Sequence, residues 1–287
     1  MIEAKIIADS VNKDGKRLTT FVVKYNRYII AELGTHRMLS RNSASSRAIP
    51  VSKLLRAVYD SPAKPVSWGI NVSGMQAKGE LNGWRRWLAE NIWVLASYFA
   101  ISCAWLLAKL SVHKQVTNRL LEPWCWTTTI ISATEWANFF NLRCHRDAQP
   151  EFQELAYKML EAYVASEPKL LQDGEWHLPF ADQYLDENLS IEEKLKIVSA
   201  RCARVSYLNF EGDIDHNKDY DLHDKLIGGE TVHASPTEHA AMAWTQPLTP
   251  EQTGNFKGFI QYRKTIPGEN QTVLDPDALF ARRRPNA

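Results

Sequence analysis

The chain has 287 residues, 45% hydrophobic and 23% charged, with a formal net charge of +1. That length buries a core in one large domain or two small ones, and near-neutrality excludes the global basic field of a nucleic-acid-coating protein, so any anion site must be built locally. The four cysteines, Cys103, Cys125, Cys144 and Cys202, form no CxxC pair, which argues against a zinc knuckle or a thioredoxin-like motif and fits a reducing cytoplasm.

The first residues, MIEAKIIADSVNKDGKR, interleave charges with apolar residues, so no exported leader is expected. Residues 1–31 alternate apolar and polar runs and read as two strands joined at the turn-like Asn12–Gly15. From Tyr28 to about Ser40, Ile29, Ile30, Leu33 and Met38 suggest a helix, followed by a polar arginine-bearing loop that ends at Pro50. Residues 60–83 are rich in Pro, Gly and Ser and predict a long irregular connection. Helical patterning follows over 84–120, 133–165 and 190–204, with Phe152, Leu155, Ala156, Met159, Leu160 and Tyr163 forming one stripe. The uncharged run Asn91–Ala108 is long enough to span a membrane, but Asn91, Ser97 and Ser102 within it and close flanking charges favour a helix buried in a core or a subunit interface. The tail from 209 reads as loop-rich, with a frayed RRRPNA end. Strand-like runs at the N-terminus and helices in the middle predict an α+β fold, a mixed β-sheet packed by long helices.

Three segments carry chemistry. Between Glu32 and Asp60 there is no acidic residue, while Arg37, Arg41 and Arg47 stand among hydroxyls and amides, which makes either a local anion site or a solvated basic loop. In 134–143, helical spacing puts Trp136, Phe139, Phe140 and Arg143 on one face, so a buried Arg143 needs a partner, either a carboxylate such as Glu151 or an anionic ligand. In His233-Ala234-Ser235-Pro236-Thr237-Glu238-His239, Ser235 and Glu238 read as a helix-capping box, which leaves His239 unexplained; with no third convergent ligand no metal is expected.

Together these segments resemble the flavin-dependent thymidylate synthases. The family's Arg-His-Arg, seven residues and a serine correspond to Thr35-His36-Arg37 and Ser45, followed by Ser46-Arg47. Asn118-Arg119-x-x-x-Pro123, then Asn138-Phe139-Phe140-Asn141-Leu142-Arg143, then Ala148-Gln149-x-Glu151 follow in the family's order. Ala203-Arg204-Val205-Ser206-Tyr207 and Ser235-Pro236-x-Glu238-His239 resemble segments that family members carry before the triplet, so the chain looks circularly permuted: one domain over 1–287, with 60–117 as an insertion or helical extension and 205–287 carrying the displaced flavin-site motif.

The resemblance implies transfer of a one-carbon unit from methylenetetrahydrofolate to C5 of a pyrimidine deoxynucleoside monophosphate, dUMP foremost, with FAD as cofactor and NADPH as reductant. It implies Arg143, Ser45 and Arg47 at the reacting nucleotide, with Ser46 and Arg119 also binding it. His36, Arg37, Asn138, Ser235 and His239 are implied at the flavin. A homotetramer with sites between subunits, no membrane and no stable nucleic-acid complex are implied as well. The chain departs from the pattern at Thr35 for the first arginine, Ala48 for a tyrosine, Pro150 for a tryptophan, Thr134 for an arginine, and Arg41-Asn42-Ser43-Ala44 where acidic residues or glutamine are usual. These leave dCMP as substrate, a hydroxymethyl product, or a non-catalytic nucleotide- or nucleic-acid-binding relative as alternatives.

Overall fold

A computed structural model describes residues 1–205, 215–229, 232–270 and 275–281; Ser206, Tyr207 and the terminal RRRPNA lie outside them. β1 (Glu3–Asn12) and β2 (Arg17–Asn26) form the expected antiparallel hairpin. Asn12 Oδ1 accepts from the backbone N–H groups of Asp14 and Lys16 at 3.1 and 2.9 Å, and Gly15 takes the positive φ of +73° that closes the turn.

The helix expected from Tyr28 to Ser40 is a 3₁₀ turn at Arg27–Ile29 and a single short helix, α1 (Ile30–Gly34). The arginine-bearing segment is not a loop throughout, because Ser40–Ser43 forms strand β3. Its partner is β4 (Trp126–Ala133), a run of Thr and Ile outside the predicted elements whose β-branched side chains suit a pleated surface. Between them lie α2 (Val51–Asp60), the irregular 61–82, α3 (Gly83–Lys109), α4 (Lys114–Thr117) and a 3₁₀ segment, Asn118–Trp124. After β4 come α5 (Ala137–Arg143), α6 (Pro150–Ala165) and β5 (Lys169–Leu171).

The main sheet runs β3-β4-β2-β1-β5, antiparallel except for the β1–β5 pair, and is therefore mixed as expected. Side-chain alternation sends Phe21, Val23, Tyr25, Ile131 and Ala133 to one face, where Phe139 and Phe140 of α5, with neighbouring Trp136, and Phe152, Leu155, Ala156 and Met159 of α6 cover them. The opposite face presents Val22 and Ile130 to α8 (Ile191–Arg204), which follows β6 (Trp176–His177) and α7 (Ala181–Tyr184). The loop-rich tail holds more regular structure than expected: α9 (His216–Ile227), β7 (Ala241–Ala243), α10 (Pro250–Thr253), β8 (Phe259–Gln261) and α11 (Pro276–Ala281). Strands β6, β7 and β8 make a second small sheet.

Of the two settings expected for α3, a core or a subunit interface, burial in the core of a single chain is not what the helix shows. Its Ser97 and Ala104 are buried, but Trp84, Trp87, Ile92, Leu95, Phe99, Trp105 and Leu106 are exposed. The helix is long and apolar enough to cross a membrane, a property that an interface helix shares.

Candidate active site

Arg143 closes the last turn of α5, and its guanidinium turns back toward the loop between α1 and β3. Its Nε donates to His36 Nε2 at 2.8 Å, its second terminal nitrogen donates to Thr35 Oγ1 at 3.2 Å, and the group lies 4.6 Å from the centre of the Phe152 ring. Burial first, and then the charges of Arg143 and Arg41, pull the His36 pKa down to about 4, so the ring is neutral and accepts a hydrogen bond from the arginine. The ring is wedged edge-on against Phe139 and Phe152. Arg41 in turn donates to the backbone carbonyls of Leu33 and His36, which fixes the loop's exit.

Glu151 is not Arg143's partner. It is a buried carboxylate that accepts from the backbone N–H of Val66 at 2.9 Å and from the Gln149 side chain. Among the described residues, Arg143 makes no ion pair with a carboxylate. It stands in a pocket of about 910 Å³ with Tyr28, Glu32, Trp93 and Arg146 on one side and residues of the 61–82 segment on the other. Glu151 and the Gln76 bond to the Asp147 carbonyl, 3.1 Å, tie that segment down. Glu32, which the sequence reading passed over, lines the same pocket, and its Oε2 is buried without a partner.

A second cluster forms at the far end of β3. Ser46 Oγ donates to Glu122 Oε1 at 2.6 Å, Arg119 reaches the same oxygen at 2.8 Å and Arg27 lies 3.2 Å from it. Buried Asn118 donates to the carbonyls of Ser46 and Ile49. Ser46 and Arg119, both expected at the nucleotide, are thus engaged with Glu122 in the single chain, while Arg47 is exposed and without a hydrogen-bond partner among the described residues. Glu122, the hub, could have been suspected only as an acid close to Arg119.

The Ser235–His239 segment is a 3₁₀ turn capped by Ala234, and Ser235 makes no capping bond. Glu238 instead ion-pairs with Arg263, and Thr237 Oγ1 donates to the Ala234 carbonyl at 2.7 Å. Pro236 occupies the first turn as expected. The turn sits against the β3–β4 edge: His239 Nδ1 bonds Ser132 Oγ at 2.8 Å, and Gln261 Nε2 bridges the Glu238 carbonyl and Ser40 Oγ at 3.0 and 3.2 Å. The end of α8 meets the same edge where Asn42 Nδ2 donates to the Cys202 carbonyl at 2.6 Å. The loop carrying His36 and Arg37 packs against α5, on which Asn138 is exposed, and leads into β3, against which the turn with exposed Ser235 sits. His239 itself is fully buried, and its Nε2 has no partner.

The chain is similar to the UMP/dUMP methylase PolB from Streptomyces cacaoi bound with 5-Br UMP, at 15% identity and a TM-score of 0.48 over 57% of this chain and 89% of that one. It is also similar to thymidylate synthase X from Helicobacter pylori with FAD and dUMP, at 18% identity and a TM-score of 0.37 over 51% of this chain and 67% of that one. No curated protein matches it. Residues 18–169, more than half of the 287, match the family model described as thymidylate synthase complementing protein. From β2 through β5, this span holds the His36 loop, the Glu122 hub and Arg143 at its pocket, and the chain belongs to the thymidylate synthase complementing protein family.

Proposed function

We propose that the protein is a flavin-dependent thymidylate synthase that methylates C5 of dUMP. The observation that carries this reading is Arg143: a half-buried guanidinium with no carboxylate partner among the described residues, oriented by a neutral histidine at the wall of a deep pocket. Glu32, Glu80, Asp147 and Glu151 line the same pocket, so it is the fixed guanidinium of Arg143, not the pocket's overall charge, that would take an anionic nucleotide and stabilise charge developing on the pyrimidine as C5 becomes nucleophilic.

The residues present fit a flavin. Arg37 is exposed in the His36 loop and Asn138 on α5, Ser235 is exposed in the turn that reaches Ser40 through Gln261, and His239 in that turn keeps a buried nitrogen without a partner. A bound FAD would supply the reducing electrons, taken from NADPH, for the transfer of the one-carbon unit of methylenetetrahydrofolate. The chain's own part is orientation: His36 and Thr35 aim Arg143, Arg37 and Ser235 offer donors, and buried Phe139 and Phe152 hold the His36 ring edge-on. No side-chain nucleophile is needed.

Thr35 and His36, which hold Arg143, precede β3 and Ser45–Arg47 follows it, so a strand roughly 13 Å long at the rise of extended chain lies between the two sets. A nucleotide held by both sets in one chain would have to bridge the strand. A second copy that brings its Ser45–Arg47 turn to Arg143 removes that need, which supports an assembly with sites shared between subunits, such as the homotetramer that the family resemblance implies. The segments 203–207 and 235–239 lie outside the family match, and we read them as displaced by circular permutation, since Val205 of the first shares a buried cluster with Ile130 of β4 and His239 of the second bonds Ser132 of the same strand.

The test is direct. Purified protein is incubated with FAD, then supplied with NADPH, methylenetetrahydrofolate and either dUMP or dCMP, and the product is weighed by mass spectrometry. Flavin uptake and a gain of one methyl group on dUMP are expected. A protein that takes up no FAD, or that modifies only dCMP, overturns the reading.

A further inference from the structure

The interface between the two sheets should be apolar, yet at one end it holds a continuous chain of polar side chains. Ser10 Oγ lies 2.9 Å from His177 Nδ1, His177 Nε2 lies 2.8 Å from Thr20 Oγ1, Thr20 Oγ1 lies 2.7 Å from Ser132 Oγ, and Ser132 Oγ lies 2.8 Å from His239 Nδ1. Four of the five are completely shielded from solvent and Ser10 is 5% exposed. Three strands of the large sheet, strand β6 of the small one and the Ser235–His239 turn that precedes β7 contribute. Its far end, His239 Nε2, is buried and has no partner.

Burial holds both imidazoles far below their ordinary pKa, at about 3, so each ring is neutral and carries one N–H. Each hydroxyl has one proton to give. With those counts the chain has two complete arrangements. In one, His239 Nδ1 donates to Ser132, Ser132 to Thr20, Thr20 to His177 Nε2, and His177 Nδ1 to Ser10, which leaves a lone pair at His239 Nε2. In the other every bond runs the opposite way, Ser10 donates to His177 Nδ1, and His239 Nε2 carries the hydrogen. Any other arrangement either places two hydrogens, or none, in one link, or lets Thr20 or Ser132 accept from both sides and leaves that buried hydroxyl's own proton without an acceptor in the chain, and each of these costs a buried hydrogen bond.

We propose that Ser10, His177, Thr20 and Ser132 form a relay that sets which tautomer His239 presents at its free Nε2, making His177 a positioning residue for the Ser235–His239 turn. The two histidines therefore hold the same tautomer and change it together, across two hydroxyls and between two sheets. The value of this to catalysis rests on the reading that His239 faces the flavin: the relay decides whether that contact offers a donor or an acceptor.

Full-length protein labelled with ¹⁵N-histidine tests the relay, since the two ring nitrogens of a neutral imidazole have distinct NMR shifts in each tautomer. His177→Gln assigns the signals. His177 and His239 are expected to show the same tautomer, and opposite tautomers overturn the proposal. Thr20→Val keeps the side-chain shape and cuts the relay. When FAD is added to the wild type, any change of tautomer at His239 is expected to be matched at His177, and in the folded Thr20→Val variant His177 no longer follows. If Thr20→Val fails to fold, the wild-type comparison decides alone. FAD that binds without moving the His239 signals removes the flavin contact, while the shared tautomer still stands or falls by itself.

Discussion

Arg143 Nε donates a 2.8 Å hydrogen bond to His36 Nε2, so a histidine of the Thr35-His36-Arg37 triplet orients an arginine more than a hundred residues later in the chain. The contact requires a neutral ring, and the neighbouring guanidinium helps keep it neutral. Thr35, where family members carry another arginine, accepts from the same side chain; a second cation there would repel Arg143.

Arg143→Ala should weaken dUMP binding by about 10- to 100-fold, the loss of one or two charge-assisted hydrogen bonds worth roughly 1.5–3 kcal/mol. Calorimetric titration with dUMP and a thermal melt check it together. Because the guanidinium is only half-buried and makes no carboxylate pair among the described residues, the melt should stay close to wild type. A lower melting temperature with unchanged affinity would make Arg143 structural.

Acid should destabilise the protein well before carboxylates alone would. His177 and His239 have folded pKa values near 3 against an ordinary 6.5. Below pH 6.5 the unfolded chain binds protons that the folded chain refuses, so their stabilisation is complete above about pH 6.5 and is lost as pH falls toward 3. Each contributes a slope of about 1.4 kcal/mol per pH unit within that window. Urea midpoints measured from pH 7.5 to 4.5 should fall steeply, and His177→Gln should flatten the slope by about one proton. Equal stability at the two ends would show that the rings titrate normally.

The exposed side of α3 should be a subunit contact. Leu88, Ile92, Leu95, Phe99 and Leu106 recur at steps of four, three, four and seven, the spacing of a seam that meets another helix, and Phe99 is 67% exposed. Phe99→Glu is expected to lower the mass in sedimentation velocity to a single chain while leaving far-UV circular dichroism unchanged. It should also abolish turnover if Ser45 and Arg47 act across subunits. An assembly of unchanged mass would remove α3 from the interface.

Much was legible in the sequence because the signals are local. The hairpin follows from alternation and the Asn12–Gly15 turn, and α6 follows from a stripe of apolar residues at helical spacing. The Trp136–Arg143 face followed from the same periodicity, and the triplet, Asn118-Arg119 and the Asn138–Arg143 segment pointed to the family before any geometry was known.

The tertiary structure decided which groups meet. Strand β4 escaped sequence reading because its Thr and Ile run is covered on both faces and lacks simple alternation. Arg143 found His36 rather than Glu151, and Ser46 and Arg119 found Glu122, because partners of a buried or half-buried charge come from whatever elements the fold brings within 3 Å. His239 was visible only as a histidine that capping did not explain. That it ends a chain of five buried groups depends on the distance between two sheets, and no spacing along the sequence encodes that.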